Sequence, residues 1–389
     1  MRFPEFSGEW DSFKLVELGK FIGGGTPSSS NLSFWTGSIP WISSSDIKED
    51  NINNISISRY ITEEAIEKSA TKYCPAPVIL IVSRVGVGKV ALSHTSLCTS
   101  QDFCNIIEIK CHPVFLSYNL LRTMKRKSRE VQGTSIKGIT SDELQKMRVF
   151  IPKNKDEQNK ISNLLTLLDE RIATQNKIIE DLKKLKSAII EKTFNENYSN
   201  KIRLRDVGSY IRGLTYSSDD VVESNGIFVM RSNNIINGSS LDYHNNIVSV
   251  NKQILTEQQL QTGDIVICMA NGSSSLVGKS SFYDGDCSTP ITVGAFCGIY
   301  RSKEPIVKWL FQTNKYRRYI WNSLQGGNGA IANLNGDDIL RMSFSIPATP
   351  AKDNRIKLLT SVDTLLESNI SLCDLYISQK LYLLRQMFI

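Results

Sequence analysis

Residues 156–194 read DEQNKISNLLTLLDERIATQNKIIEDLKKLKSAIIEKTF, and this segment determines the architecture of the chain. It contains no glycine and no proline, and its apolar residues recur every three or four positions. That spacing places them on one stripe of a helix and is typical of a coiled-coil seam. At 1.5 Å per residue the helix is ~58 Å long, which is more than one small domain can cover. The sequence therefore predicts a long helix that pairs with another.

A second helix with the same kind of seam is predicted at the end of the chain. Each seam has one polar residue near the middle of its helix, Gln175 in the first and Asn369 in the second. In an antiparallel pair the two middles meet, so we expect Gln175 and Asn369 to face each other and fix the register. The alternative is two separate surface helices, with both polar side chains reaching solvent. The predicted seams are Ile161, Leu165, Leu168, Ile172, Gln175, Ile179 and Leu182, and Leu359, Val362, Leu366, Asn369, Cys373, Tyr376, Lys380, Leu383 and Met387.

The two helices end two copies of one plan. Residues 13–19 (FKLVELG) are echoed by residues 202–208 (IRLRDVG), and each helix is preceded by an Ile-Pro dipeptide. A repeat of this length predicts two related modules in a pseudo-twofold molecule. We predict a mixed α/β fold with two globular domains of many short strands, joined by two long antiparallel coiled-coil helices. The predicted segments are globular domain 1 (1–152), long helix 1 (153–198), globular domain 2 (199–347) and long helix 2 (348–389).

Composition bounds the function only loosely. The 389 residues carry 46 Lys and Arg against 39 Asp and Glu, a net charge of +7 that fits a DNA partner without requiring one. There is no signal peptide and no apolar run of membrane length, so we expect a cytoplasmic protein. The eight cysteines form no CxxC pair, and their spacings to the three histidines do not match a zinc site. We therefore expect no metal and buried or idle thiols.

Each globular domain contains a glycine turn with a basic residue, then a basic helix and a glycine-rich loop. The turns are 84–89 (RVGVGK) and 271–280 (NGSSSLVGKS), and each follows a buried strand, which predicts a hairpin with a basic tip. Neither turn has the spacing of a phosphate-binding P-loop. Basic helices at 120–129 and 310–319, beside loops at 133–138 and 326–331, suit phosphate contact and base reading. Charged faces that are merely solvated are the alternative.

These features give a set of candidate DNA-contacting residues. Arg231 joins the set because it stands where the first copy has Ser43, in a segment where the two domains diverge. Two domains that recognise different base sequences need a common scaffold with different base-contacting side chains. The candidates are Arg84, Lys89, Lys125, Arg126, Lys127, Arg129, Ser135, Lys137, Arg231, Lys279, Lys315, Arg317, Arg318 and Asn328.

The whole chain resembles the specificity (S) subunits of type I restriction-modification systems. The resemblance rests on two variable domains each followed by a long helix, on the junction from residue 133 to Ile151-Pro152, on the Glu157-Gln158 pair beyond it, and on the start at residues 3–10. The second copy departs from the pattern, because Lys352-Asp353-Asn354 stands where Glu-Gln is expected.

The resemblance implies a mechanism without a catalytic site in this chain. Each domain would read one half of a bipartite double-stranded DNA site, and the helices would set the spacer and dock two modification subunits. Those subunits would methylate adenine with S-adenosylmethionine by base flipping, and restriction (motor-nuclease) subunits using ATP and Mg²⁺ would join for cleavage. Two alternatives remain open from the residues. One is a two-lobed coiled-coil scaffold that never touches DNA. The other is a metal-dependent nuclease that uses Asp102, Glu108 and Lys110.

Overall fold

The computed structural model describes residues 1–131, 138–194, 198–285, 287, 289–324 and 332–388. The chain forms two compact units. The first is Met1–Lys177 with Ile370–Ile389, and the second is Ile178–Asn369. Each unit therefore contains one globular lobe and one end of each long helix. No helix within the described residues is long and apolar enough to cross a membrane.

The two long helices are Lys155–Phe194 and Ala351–Gln386. In the first unit, Asp169 pairs with Lys380, and Asn176 lies 3.7 Å from the Sγ of Cys373. Residue numbers therefore rise along the first helix where they fall along the second, which confirms the antiparallel pair in the first unit. In the second unit, Lys186 pairs with Asp363, and Ile190 shares a core with Leu359, so the direction is the same.

The predicted seams are largely buried. Ile161, Leu165 and Ile179 are buried on the first helix, as are Leu359, Leu366 and Cys373 on the second. Gln175 is also buried, in the first unit, whereas Asn369 belongs to the second unit. Their mutual contact stays a prediction.

The first lobe is built from one two-stranded and two four-stranded sheets. Asp11–Lys14 pairs antiparallel with Arg148–Ile151, so the first strand and the last strand of the lobe close it. The first four-stranded sheet has the order Lys20–Gly23, Cys104–Ile107, Val78–Ile81, Val90–Ser93. The second has the order Arg59–Ile61, Ile39–Ile42, Leu97–Thr99, Tyr73–Cys74, with its two middle strands parallel. The helices are Leu15–Leu18, Glu63–Glu67, Pro113–Val131 and Ser141–Lys146, with 3₁₀ turns at Leu32–Trp35 and Ser44–Asp46.

The second lobe repeats this plan. Lys201–Arg203 pairs antiparallel with Ser343–Ser345 and closes it. One four-stranded sheet has the order Gly208–Arg212, Cys297–Ser302, Ile265–Cys268, Ser280–Phe282, and the other Val221–Val222, Val248–Val250, Ile227–Met230, Ile291–Val293. A short pair, Ala270–Asn271 with Ala332–Asn333, is added. The helices are Leu204–Val207, Val307–Leu310, Asn314–Leu324 and Gly336–Leu340, with 3₁₀ turns at Ser218–Asp220, Ser232–Asn234, Thr256–Gln258 and Ser274–Leu276.

Both basic helices differ from the prediction. In the first lobe the helix starts at Pro113 rather than near residue 120, because proline suits the first turn and an apolar face follows it. In the second lobe the predicted helix over 310–319 is wrong, since one helix ends at Leu310 and another begins at Asn314. The buried Thr313 explains the break, because its Oγ1 accepts a hydrogen bond of 3.1 Å from the Tyr316 N–H and caps the new helix.

Each lobe shares a hydrophobic core with the helix ends of its own unit. In the first unit Phe115 and Leu116 pack with Leu384 and Phe388 from the end of the second long helix. In the second unit Trp309 and Phe344 pack in one cluster with Ile190, Phe194 and Leu359. Burial of large side chains from both the lobe and the helix ends contributes about 1.5–3 kcal/mol per side chain. Each lobe and the helix ends of its own unit therefore stabilise one another.

The Glu157-Gln158 pair has an internal structural role. Glu157 is almost fully buried and accepts hydrogen bonds from the Arg2 Nε at 2.6 Å and from the Trp10 indole at 3.2 Å. Gln158 donates to the Pro152 carbonyl and accepts from the His112 N–H. The pair therefore fastens the N-terminal segment to the start of the long helix.

The second copy replaces this arrangement. At the start of the second long helix, Lys352 instead makes a partly exposed ion pair of 3.4 Å with Glu304.

Candidate DNA interface

The glycine turn of the first lobe forms the predicted hairpin, and its tip contacts the basic helix. Val78–Ile81 pairs antiparallel with Val90–Ser93, so Arg84 and Lys89 lie on the connecting turn. Gly88 adopts a φ of +112°, and a Cβ there would lie 3.1 Å from the Oγ of Ser128. Only glycine suits both the left-handed backbone and the close approach.

The polar turn Ser44–Asp46 is tied to the same hairpin tip. Lys89 donates a hydrogen bond of 3.1 Å to the Ser44 carbonyl oxygen. Arg59 donates to Ser43 at 2.7 Å, forms an ion pair with Asp46, and lies 4.5 Å from the centre of the Trp41 ring. The hairpin, the polar turn and the basic helix are therefore brought together at one place, which we call the lobe-1 basic face.

A cavity of about 250 Å³ opens between the basic helix and the end of the second long helix. Its one acidic side chain among the described residues, Asp50, is held by Lys125 at 2.7 Å. Burial, and then the charge of Arg126, lower the pKa of Arg122. The cations along this wall thus repel one another, and an anion placed between them would relieve that repulsion. The basic residues that line it are Arg122, Lys125, Arg126, Arg129 and Arg385.

The second lobe has a cavity of about 370 Å³ between its hairpin and the following helix, which we call the lobe-2 basic face. Its hairpin, Ile265–Cys268 with Ser280–Phe282, brings Lys279 beside Arg317 from the helix that begins at Asn314. Trp321 lines the same cavity and is 61% exposed. A cation pair beside an exposed indole offers phosphate contact and a flat stacking surface.

Other candidates of the second lobe lie elsewhere. Arg231 is exposed at the start of its polar turn, where its guanidinium donates to the Asn246 carbonyl oxygen at 3.4 Å. Arg318 is exposed and does not line the cavity of the lobe-2 basic face. Lys315 lies 5.6 Å from the centre of the Phe344 ring, and burial, then the charge of Lys201, lower its pKa. Lys315 therefore packs beside the closing strand Ser343–Ser345 and does not line that cavity.

The structure gives a mixed outcome for the sequence candidates. It brings Arg84, Lys89, Lys125, Arg126 and Arg129 to the lobe-1 basic face, whereas Ser135, Lys137 and Asn328 lie outside the described residues. Lys127 lies on the same basic helix and is half-buried.

Sequence reasoning missed four residues, Arg59, Arg122, Arg385 and Trp321. Trp321 could have been found from its position four residues after Arg317 on one helix. Arg59 and Arg385 come from distant segments and had no local signal.

The nuclease arrangement is not assembled. Asp102 and Glu108 lie beyond opposite ends of the strand Cys104–Ile107, and Glu108 forms an exposed ion pair with Lys20 at 3.4 Å. Within the part of the chain that the structure describes, no three His, Cys, Asp or Glu side chains come together as metal ligands. All eight cysteines are free, and six are buried, as the sequence predicted; Cys111 and Cys287 are half-buried.

Comparison with known proteins identifies a domain in the first half of the chain. Residues 7–184 match the type I restriction modification DNA specificity domain. The first lobe and most of the first long helix are therefore similar to that domain. Two similar proteins are the type I restriction enzyme MjaIX specificity subunit of Methanocaldococcus jannaschii and the EcoR124I/EcoR124II specificity subunit of Escherichia coli. The first is 33% identical over 48% of this chain and 44% of its own length, and the second is 34% identical over 43% of each. The chain thus spans less than half the length of the curated relatives it matches.

Solved structures show that the likeness of fold extends over the whole chain. The S subunit of a type I restriction-modification system from M. genitalium aligns over 100% of this chain and 99% of its own, with a TM-score of 0.61 and 15% identity. A chain from a study of complex assembly and conformational transition in the type I system aligns over 98% and 96%, with a TM-score of 0.54 and 14% identity. At these identities the likeness is one of fold.

Proposed function

We propose that this chain is the sequence-specific DNA-binding subunit of a type I restriction-modification complex. Each lobe reads one half of a bipartite target, and the paired helices set the spacer and dock two methyltransferase subunits. One observation carries the proposal: in both lobes a hairpin tip meets the following helix, and that helix lines a cavity with basic side chains. Such cations suit phosphate neutralisation, and the polar turns of both lobes offer hydrogen-bonding groups for base edges, which supports the proposal.

The differences between the two basic faces support two distinct half-sites. In the first lobe, Arg59 holds the polar turn from outside and stacks on Trp41. In the second, Arg231 is itself part of the turn, and Trp321 faces the cavity. A shared frame with different reading groups suits recognition of two different base sequences. The 40-residue first helix is about 60 Å long, a little under two turns of B-DNA at about 34–36 Å per turn.

We place the chemistry in partner subunits. Methylation of adenine would use S-adenosylmethionine on the modification subunits, and cleavage would use ATP and Mg²⁺ on restriction subunits. The separation of Asp102 from Glu108 along their strand supports a chain without a nuclease site of its own. A subunit that acts on the DNA of its own cell in this way works in the cytoplasm.

DNA binding against salt concentration tests the proposal. The full chain, purified with its methyltransferase partners, should bind one bipartite duplex specifically, with an affinity that falls steeply as salt rises. Salt-insensitive binding, or no binding with the partners present, would favour a protein scaffold. Metal-dependent cutting by the chain alone would favour a nuclease. Exchange of residues 13–150 for the corresponding lobe of another family member should change one half of the target only.

A further inference from the structure

Two buried lysines link the long helices to the lobes. In the first unit Lys380, only 4% exposed, forms an ion pair with Asp169 on the facing helix. The other carboxylate oxygen of Asp169 accepts a hydrogen bond of 2.7 Å from the Tyr118 hydroxyl. Lys380 also donates to the backbone carbonyl oxygen of Asp50 at 2.6 Å, and Asp50 belongs to the lobe. One ammonium group therefore joins both helices to a loop of the globular lobe.

The second unit contains the same arrangement. Lys186, 8% exposed, pairs with Asp363 at 2.6 Å and donates to the Gly238 carbonyl oxygen at 2.8 Å. The Nζ of Lys308 lies 2.8 Å from the second carboxylate oxygen of Asp363, the place that the Tyr118 hydroxyl takes in the first unit. Lys186 lies 5.5 Å from the centre of the Trp309 ring, as Lys380 lies 5.7 Å from that of Tyr118.

The equivalence extends to the backbone and to the repeat. Asp363 follows Asp169 by 194 positions, and Lys380 follows Lys186 by the same interval. Both acceptor carbonyls belong to residues in the left-handed region, Asp50 with φ 59° and Gly238 with φ 75°. The same three groups, a lysine ammonium, an aspartate carboxylate and a backbone carbonyl, thus meet at two independent places, each within its own unit, which indicates one shared role.

The lysines hold the loop segment that follows the polar turn of each lobe. Asp50 follows the turn Ser44–Asp46, and its carboxylate binds Lys125 of the lobe-1 cavity. Gly238 follows the turn Ser232–Asn234, in which the fully buried Asn234 donates to the carbonyl oxygens of Asp242 and Asn245. Each lysine therefore fastens the segment just after a candidate reading turn to the helix pair.

Burying an ammonium group costs free energy of folding, so stability alone does not explain these lysines. Burial lowers the pKa of Lys186, which shows that the surroundings disfavour its charge. Well-packed apolar residues in place of a buried ion pair are often neutral or stabilising. The feature that an apolar pair would not reproduce is the directed hydrogen bond to the turn.

We propose that Lys380 and Lys186 are positioning residues that hold each lobe's reading turn at a fixed place on the helix pair, so that the spacer length is read strictly. The proposal rests on the proposed function for its DNA part, while the anchoring of the turns stands on the contacts alone. The lysines act through the turns and need not touch DNA.

Hydrogen exchange of the full chain tests the anchoring. Lys380→Met should speed exchange about tenfold in residues 47–56, where the Ser56 N–H donates to the Asp46 carbonyl oxygen, and leave residues 235–242 unchanged. Lys186→Met should do the reverse. Lys357→Met and Lys183→Met, at exposed positions of the same helices, are the matched controls. Equal loosening of both turns by one variant, or no change in either, would overturn the proposal.

A double variant separates anchoring from stability. Lys380→Met leaves the Asp169 carboxylate buried without its cation, so the melting temperature should fall. Adding Asp169→Leu removes that charge and should restore the melting temperature, while residues 47–56 keep their fast exchange because the Asp50 carbonyl still lacks its donor. If the double variant also regains wild-type exchange, the ion pair is structural only and the proposal fails.

Spacer selectivity tests the DNA part. With the partner subunits and the native target, Lys380→Met should narrow the preference for the native spacer over spacers one base pair longer or shorter by about tenfold. The preference for the bases of each half-site should stay unchanged. An unaltered spacer preference would overturn this part. If wild-type protein binds no bipartite DNA, the proposed function fails, and the exchange result still decides the anchoring.

Discussion

The cations around the lobe-1 cavity give the sharpest quantitative prediction. Lys125 is already paired with Asp50, whereas Arg126, Arg129 and Arg385 make no ion pair with any described residue. If each of the three neutralises one phosphate, replacing all three with alanine should reduce the slope of log K against log salt by about 2.7, at 0.9 per contact. Between 50 and 200 mM salt, the affinity gap between wild type and variant should then shrink by about 40-fold.

Binding titrations at four or five salt concentrations measure this slope, with a bipartite duplex and with a random one. Lys110, Lys153 and Lys155 line a separate cavity of the same unit, so their triple alanine variant loses equal charge elsewhere. The loss for the arginine variant should be similar on both duplexes, because phosphate contacts carry no base information. Parallel slopes for wild type and the arginine variant, or an equal effect of the control, would refute the assignment of this cavity to DNA.

Three further predictions concern other parts of the molecule. Trp321→Ala should weaken DNA binding by about 1 kcal/mol or more without lowering the melting temperature, because the indole is largely exposed. Phe296 is a similarly exposed aromatic residue of the same unit, and Phe296→Ala should change neither DNA binding nor the melting temperature. Burial raises the pKa of Cys111 to about 12, so only about one thiol in ten thousand is ionised at pH 8. This half-buried cysteine of the folded protein should therefore react with a disulfide reagent far more slowly than it does in protein unfolded by guanidinium. Rapid labelling of the folded protein would contradict its burial. Gln175→Leu combined with Asn369→Leu should raise thermal stability while weakening spacer selectivity, and an unchanged or lower melting temperature would dismiss the buried register pair.

The regular features of the fold were predictable because they depend on local periodicity. Short sequence patterns locate these elements to within a few residues. They are the seam through Ile161 and Leu165, the hairpin strands around Arg84, and the Ile-Pro dipeptide before each long helix. The repeat then extended those predictions to the second lobe. It failed at Thr313, where a single capping side chain starts a new helix that periodicity does not mark.

The composition of the basic faces could not be predicted in the same way. Arg385 reaches the cavity beside Arg126 only because the end of the second long helix packs on the first lobe. Hydrophobic periodicity shows that a helix has a partner but not which polar residues lie at the edge of the contact. The same holds for Lys380, which the sequence placed in an apolar seam and the structure places against Asp169 and the Asp50 carbonyl.

The methylation pattern of the host genome tests the central claim most directly. Sequencing that detects methylated adenine should reveal one bipartite motif with two different half-sites and a spacer of fixed length. Deletion of this chain, with the partner subunits left intact, should abolish methylation at that motif alone. A methylation pattern that is unchanged by the deletion, or a motif without two separated halves, would contradict the account.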